Sequence, residues 1–251
     1  MAREHDQSTG AGSTAAHFAT THWNLVFAAG HGGSGEAREA MAELCRIYWY
    51  PLYAYARCQG ATADAALDLT QGFFAHLLAH DLVASADAAR GRFRSFLRRC
   101  LQNFAASEHA RATRVKRGGG RALLSLDAPG AEARFASELA DHRDPERLYE
   151  RQWALAVIEE ALRQLREAFV AAGRERTFDL LAPRLSGERD GMPSAELARQ
   201  LGTSEATVNV MVHRLRRRYR EVLSAVVLRT VDSPTEVEEE LRYLLRVLQP
   251  P

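Results

Sequence analysis

Residues Met192–Leu223 read MPSAELARQLGTSEATVNVMVHRLRRRYREVL. Ser194 can cap a short helix whose buried face is Leu197, Ala198 and Leu201. Gly202 allows a sharp turn, because only glycine takes a positive φ cheaply. Ser204 caps a second helix with Val208, Val212 and Leu215 as its inner stripe. Asn209, Met211, His213, Arg214, Arg217 and Arg218 are left facing outward or at the edges. Two short helices joined at a glycine, the second polar and basic, make a helix-turn-helix whose second helix fits the major groove of DNA. Its capped N-terminus and arginines neutralise phosphates, and Asn209 and Arg214 can read base edges. The plainer alternative is a helical hairpin with a solvated arginine face.

Helical spacing extends over most of the chain before this motif. From Glu36 to Arg57, Leu44, Ile47, Tyr48, Leu52 and Tyr55 recur at steps of three and four. Pro51 is expected to kink or break this run, and Gly60 to end it. Asp64–Leu78 is a second helix striped with Leu67, Phe74, Leu77 and Leu78. Phe93–Arg114 is a third, with Phe93, Phe96, Leu97, Leu101 and Phe104 on one face, and it stops at Gly118-Gly119-Gly120. Asp144-Pro145 opens a long amphipathic helix carrying Leu148, Leu155, Ile158, Leu162, Leu165 and Phe169, closed by Gly173. Phe178, Leu181 and Leu185 mark a shorter one, and Thr20–Ala29 another. No period-two run of β-branched residues occurs. The expected fold is all-α: two small helical domains, 18–117 and 144–230, joined by a flexible linker over 118–143. A disordered arm, 1–17, precedes them, and a C-terminal amphipathic helix, 231–251, follows.

The net charge of +1 hides strong local imbalance. Arg90–Arg117 holds nine basic residues and one acid, Glu108, and Arg214–Arg220 holds five arginines. Asp232–Glu240 holds five acids and no base. Two basic patches suggest a polyanion touched at two places. The first patch interleaves Phe93, Phe96 and Phe104 with Arg92, Arg94, Arg98 and Arg99. Aromatic faces stack on unpaired bases while arginines follow a backbone; alternatively the phenylalanines are core. Three widely spaced cysteines, Cys45, Cys58 and Cys100, suggest reduced thiols in a cytosol. The absence of a signal peptide or a long apolar run points to a cytoplasmic protein without a membrane span.

Four pieces together resemble a bacterial RNA polymerase sigma factor of the extracytoplasmic-function (ECF) type, over about residues 20–228. YWYPLYAYAR (Tyr48–Arg57) looks like the first helix of sigma region two. ALDLTQGFF (Ala66–Phe74) and GRFRSFLRRCLQNF (Gly91–Phe104) look like its next two conserved segments, and the helix-turn-helix is similar to region four. The resemblance implies that Asp64, Asp68, Gln71 and Phe74 grip the clamp helices of the β′ subunit of core RNA polymerase. It implies that Arg90, Arg92, Phe93, Arg94, Arg99, Asn103 and Arg111 meet the melted strand of the minus-ten element. It implies that Ser204, Thr207, Asn209, Met211, His213, Arg214, Arg217 and Arg218 meet the duplex of the minus-thirty-five element in promoter DNA. No cofactor is implied.

Departures from the family pattern carry information too. Leu67 and Gly72 stand where glutamates are common, so the polymerase-binding helix is short of acids. Family members of that kind resemble a group switched on by threonine phosphorylation, which points to Thr62 and Thr70 and to a Ser/Thr kinase partner; a phosphate adds about −1.5 to −2 charges. An anti-sigma factor is the other expected regulator. Asn209 and Met211 replace common basic residues. In the tail, Val237, Leu241, Leu244, Leu245 and Leu248 line up beside Glu236, Glu238, Glu239 and Glu240. Such a helix either stabilises region four or docks on the basic patches and silences them.

Enzyme chemistry finds little support. His76 and His80 lie four apart beside Asp81, without a third metal ligand in evidence. The glycine-rich GHGGSG at Gly30–Gly35 lacks the Lys-Ser/Thr of a phosphate-binding loop. No nucleophile elbow or dinucleotide fingerprint occurs. The alternative function is a stand-alone helix-turn-helix regulator that binds duplex DNA without polymerase.

Overall fold

The computed structural model describes residues 35–80, 92–114, 130–137, 144–185, 192–231 and 233–249. Every α- or 3-10 element among them is helical, and none is a strand: α1 (Gly35–Cys58), α2 (Ala63–Ala79), α3 (Phe93–Arg114), α4 (Ala131–Ser137), α5 (Pro145–Ala171), α6 (Glu175–Leu181), α7 (Ser194–Leu201), α8 (Glu205–Leu228) and α9 (Val237–Leu248). No described helix is long and apolar enough to cross a membrane. The expected arm 1–17, the short helix Thr20–Ala29, the Gly118–Gly120 stop and Arg90 lie outside the described residues.

Helix ends follow local chemistry. The Asp144 carboxylate accepts from the Glu146 and Arg147 N–H groups at 3.0 and 3.1 Å, with Pro145 as the first helical residue. Gly173, at φ +66°, closes the other end of α5, where the Arg174 N–H returns to the Phe169 carbonyl at 2.8 Å. Pro51 does not break α1, which runs continuously from Gly35 to Cys58. Proline lacks the N–H that would reach Ile47 and crowds that carbonyl. Tyr50, Leu52, Tyr53 and Ala54 around it are all buried, and α1 packs more heavily on α5 than on any other element, so tertiary contact holds the helix across its weak point.

The long helix α5 is more deeply enclosed than a one-sided stripe implies. Tyr149, Gln152, Trp153, Ala154, Val157 and Glu160 are buried as well as Leu148 and Leu165, because α1, α8 and α9 all lie against it. One large core draws Leu44 and Tyr48 from α1, Phe73 from α2, Leu97 from α3, Trp153 from α5, and Val226 and Leu244 from α8 and α9. Segments on both sides of 118–143 therefore share it. A smaller core under the helix-turn-helix joins Leu165, Phe178, Leu181, Leu197, Val208 and Leu215.

Residues 130–137 fall inside the expected linker, yet Ala131–Ser137 is a docked helix. Phe135 is buried. Glu132 accepts from the Tyr53 hydroxyl at 2.6 Å and from Arg57 at 2.6 and 2.9 Å. Arg134 lies 4.1 Å from the centre of the Tyr50 ring. These partners sit more than seventy residues away in sequence, beyond the reach of any local pattern.

Two outcomes follow from this packing. Trp153→Ala should destabilise the chain by about 3–5 kcal/mol in chemical denaturation, through the cavity left in the shared core. Hydrogen bonds from Arg57 and Tyr53 hold the Glu132 carboxyl below the ordinary glutamate value. A depressed carboxyl stabilises above its unfolded pKa and loses that contribution as pH falls through the folded one. The amide protection factors of Ala131–Ser137 should therefore fall as pH drops below the ordinary glutamate range. In Glu132→Gln they should already be low at neutral pH.

Candidate nucleic-acid interface

The turn between α7 and α8 is built as its residues dictate. Gly202 takes φ +63°, and the Thr203 N–H reaches the Ala198 carbonyl at 2.9 Å. The Ser204 hydroxyl accepts from the Thr207 N–H at 3.2 Å, capping α8. Ser194 has a different role from the expected cap. Pro193, in extended geometry, holds the cap position of α7, and Ser194 is the first helical residue. Its hydroxyl donates to Asn209 Oδ1 at 3.3 Å, tying the two helices and orienting the amide.

Leu197, Val208 and Leu215 are buried beneath this unit. Ser204, Thr207, Asn209, His213, Arg214, Arg217 and Arg218 are all exposed. Met211 leaves the expected set: it is half-buried and packs against the smaller core. Arg217 and Arg218 reach Glu221 at 3.1 and 3.3 Å. Arg214 stands two turns before that carboxylate, about 10 Å along the axis. Arg216 donates to the Arg184 carbonyl at 2.8 Å and fixes α8 to the turn after α6.

The patch on α3 divides in two. Its aromatics belong to the core: Phe93 meets Tyr48 edge-on at 5.6 Å, and Phe104 packs on Phe73 at 6.1 Å. Phe93 is thus withdrawn from the expected strand-binding set, because its ring is buried. Arg99, Asn103 and Arg111 are exposed, Arg111 pairing with Glu108 at 2.9 Å. Arg92, Arg94 and Arg98 turn toward acids of α5 and the tail instead. Arg98 meets Glu146 at 2.8 Å and Arg94 meets Glu150 at 2.5 Å. Arg94 is buried with its guanidinium between the Trp153 and Tyr243 rings, at 4.5 and 4.3 Å, so it leaves the surface set as well. Its partners are drawn from two distant stretches of chain, 150–153 and 240–243, which is why spacing gave no signal of them.

On α2, Asp64 and Asp68 are exposed and Gln71 half-buried, at the spacing of one helical face. Phe74 does not share it; its ring is buried in the main core. A β-carbon at Gly72 would lie 3.4 Å from the Phe104 ring, in van der Waals contact with it. Thr62 is exposed and caps α2, its hydroxyl accepting from the Ala65 N–H at 3.2 Å. Thr70 is fully buried and donates to the Ala66 carbonyl at 2.7 Å, so a kinase reaches it only if α2 unpacks. The His76 and His80 rings lie 4.1 Å apart, tilted by 39°. Among the described residues no group of three metal-binding side chains forms. Burial pushes the Cys45 thiol up to about 11, out of the reactive range at neutral pH.

No family model matches this chain, and neither does any curated protein or solved structure.

Removing the cap with Ser204→Ala should cost about 1 kcal/mol. Loss of amide protection confined to the first turn of α8 would check that the effect is local.

Proposed function

We propose that this chain is a sigma factor of the ECF type, which binds core RNA polymerase in the cytoplasm and directs it to promoters. The observation that carries the reading is the presence of three exposed faces with different chemistry on three different helices. The α8 face offers Asn209, His213, Arg214 and Arg217 to duplex DNA, with a capped helix start for phosphate. The α3 face offers Arg99, Asn103 and Arg111, a cation–amide–cation strip suited to one strand. The α2 face offers Asp64, Asp68 and Gln71 to a basic protein surface such as the β′ clamp helices. A stand-alone regulator needs the first face only.

In this reading 18–117 acts as region two and 144–230 as region four. Arg214 and Asn209 specify, while Arg217 and Arg218 position. Thr62 is the open site for a kinase: a phosphate on it would sit at the α2 start and add charge to the acid-poor polymerase face. An anti-sigma factor is the alternative control.

Run-off transcription with core polymerase should give transcripts that depend on this protein. Arg214→Ala should cost about 1–3 kcal/mol of promoter discrimination and relax one base position, whereas Arg217→Ala should weaken all promoters alike and lower the salt slope by about one. Tight binding to a palindromic duplex without polymerase, with no transcripts from folded protein, would replace this reading by the stand-alone regulator.

A further inference from the structure

The acidic tail and the two basic patches meet in the folded chain. Arg92 pairs with Glu236, and lies 3.3 and 3.5 Å from Glu239 and Glu240. Arg94 pairs with Glu240 beneath it. On the other side of the same helix, Glu238 reaches Arg220 of α8 at 3.8 Å. The acids of one helix start thus neutralise arginines from both basic segments. Apart from Glu240, the inward face of α9 is apolar: Leu244 is buried, and Leu241, Tyr243 and Leu248 pack on the main core. This holds the carboxylates in place.

We propose that α9 is a built-in inhibitor, whose carboxylates occupy Arg92 and Arg220 in place of nucleic-acid phosphates and strap α3 to α8 until it is displaced. This rests on the sigma-factor reading for the identity of the displaced ligand, single-stranded promoter DNA. Release frees Arg92 for the strand beside Arg99 and Asn103, and uncovers Arg220 on α8. Arg94 serves as the anchor of the strap and is not itself a DNA contact.

The test uses the full chain carrying Glu236→Gln, Glu238→Gln and Glu239→Gln together. All three positions are at least a third exposed, so the fold should survive, and circular dichroism checks it. The probe is a fluorescein-labelled oligodeoxythymidine of about 12 nucleotides, read by anisotropy without polymerase. Three partly exposed ion pairs should hold back binding about five- to tenfold, so the variant should bind the strand tighter by that factor. Adding Arg92→Ala should abolish the gain. Should the triple variant lose its helical signal, Glu239→Gln alone carries the same test with a gain of about twofold. Unchanged affinity in a folded variant, with faster amide exchange in α9, overturns the proposal. The sigma-factor reading fails differently: a strap that gates strand binding, without transcripts from either protein in run-off assays, keeps the inhibitor and removes the sigma factor.

Discussion

The buried guanidinium of Arg94 is the point at which the molecule is tied together. A charge leaves water at low cost only when it is paired and its hydrogen bonds are made. Arg94, itself on α3, meets both conditions by drawing on two other helices at once. Glu150 and Trp153 come from α5, and Glu240 and Tyr243 from α9. The Tyr149 hydroxyl also donates to the Arg94 carbonyl at 2.8 Å, which pins the backbone as well as the side chain. No single helix can be removed from this arrangement without changing the surroundings of the other two. That dependence places the start of α3 against the first turns of α5, and it fixes which arginines of the basic patch face inward.

Charge distribution follows from the same arrangement. The chain is nearly neutral in sum, yet its basic and acidic segments are separated in sequence and brought together in space. Arg92, Arg94 and Arg220 meet the tail, Arg98 meets Glu146, and Arg229 meets Glu43 at 2.5 Å. Among the described residues of the two basic segments, what stays outward is smaller and better defined: Arg99, Asn103 and Arg111 on α3, and the outer face of α8. Exposed pairs such as Arg217–Glu221 contribute little to stability and are easily exchanged for phosphate. The buried ones are structural.

Legibility in the sequence tracked the range of the interaction. Short-range signals were sound: Asp144-Pro145, Gly173, Gly202 and Ser204 start or stop helices by chemistry contained within a few residues. The inner stripe of the helix-turn-helix followed from spacing alone. Features that rest on distant partners were illegible. Pro51 looked like a break because its support comes from α5. Ala131–Ser137 looked like linker because its docking depends on Tyr53, Arg57 and Tyr50. Phe74, Phe93 and Arg94 looked available because membership of a basic or conserved-looking segment says nothing about which way a side chain points. Ser194 looked like a cap, although a proline stood before it with the backbone geometry the cap position needs.

An inhibitor anchored by a buried ion pair raises the question of how it can ever leave. Burial pushes the Glu240 carboxyl above its ordinary value, while the Arg94 and Arg92 guanidiniums pull it back. Burial also works against the Arg94 charge, but Glu150 and Glu240 outweigh it and hold the guanidinium charged. When α9 departs, Glu240 returns to water and recovers its hydration. Arg94 keeps Glu150 and the Trp153 face, and the side vacated by Tyr243 opens to solvent. Neither charge is stranded in an apolar pocket, which is the condition that makes breaking a buried pair so costly. The tail thus combines a firm apolar footing with a charged contact that can be exchanged, and a polyanion or a polymerase surface needs to outcompete only the latter to begin lifting it.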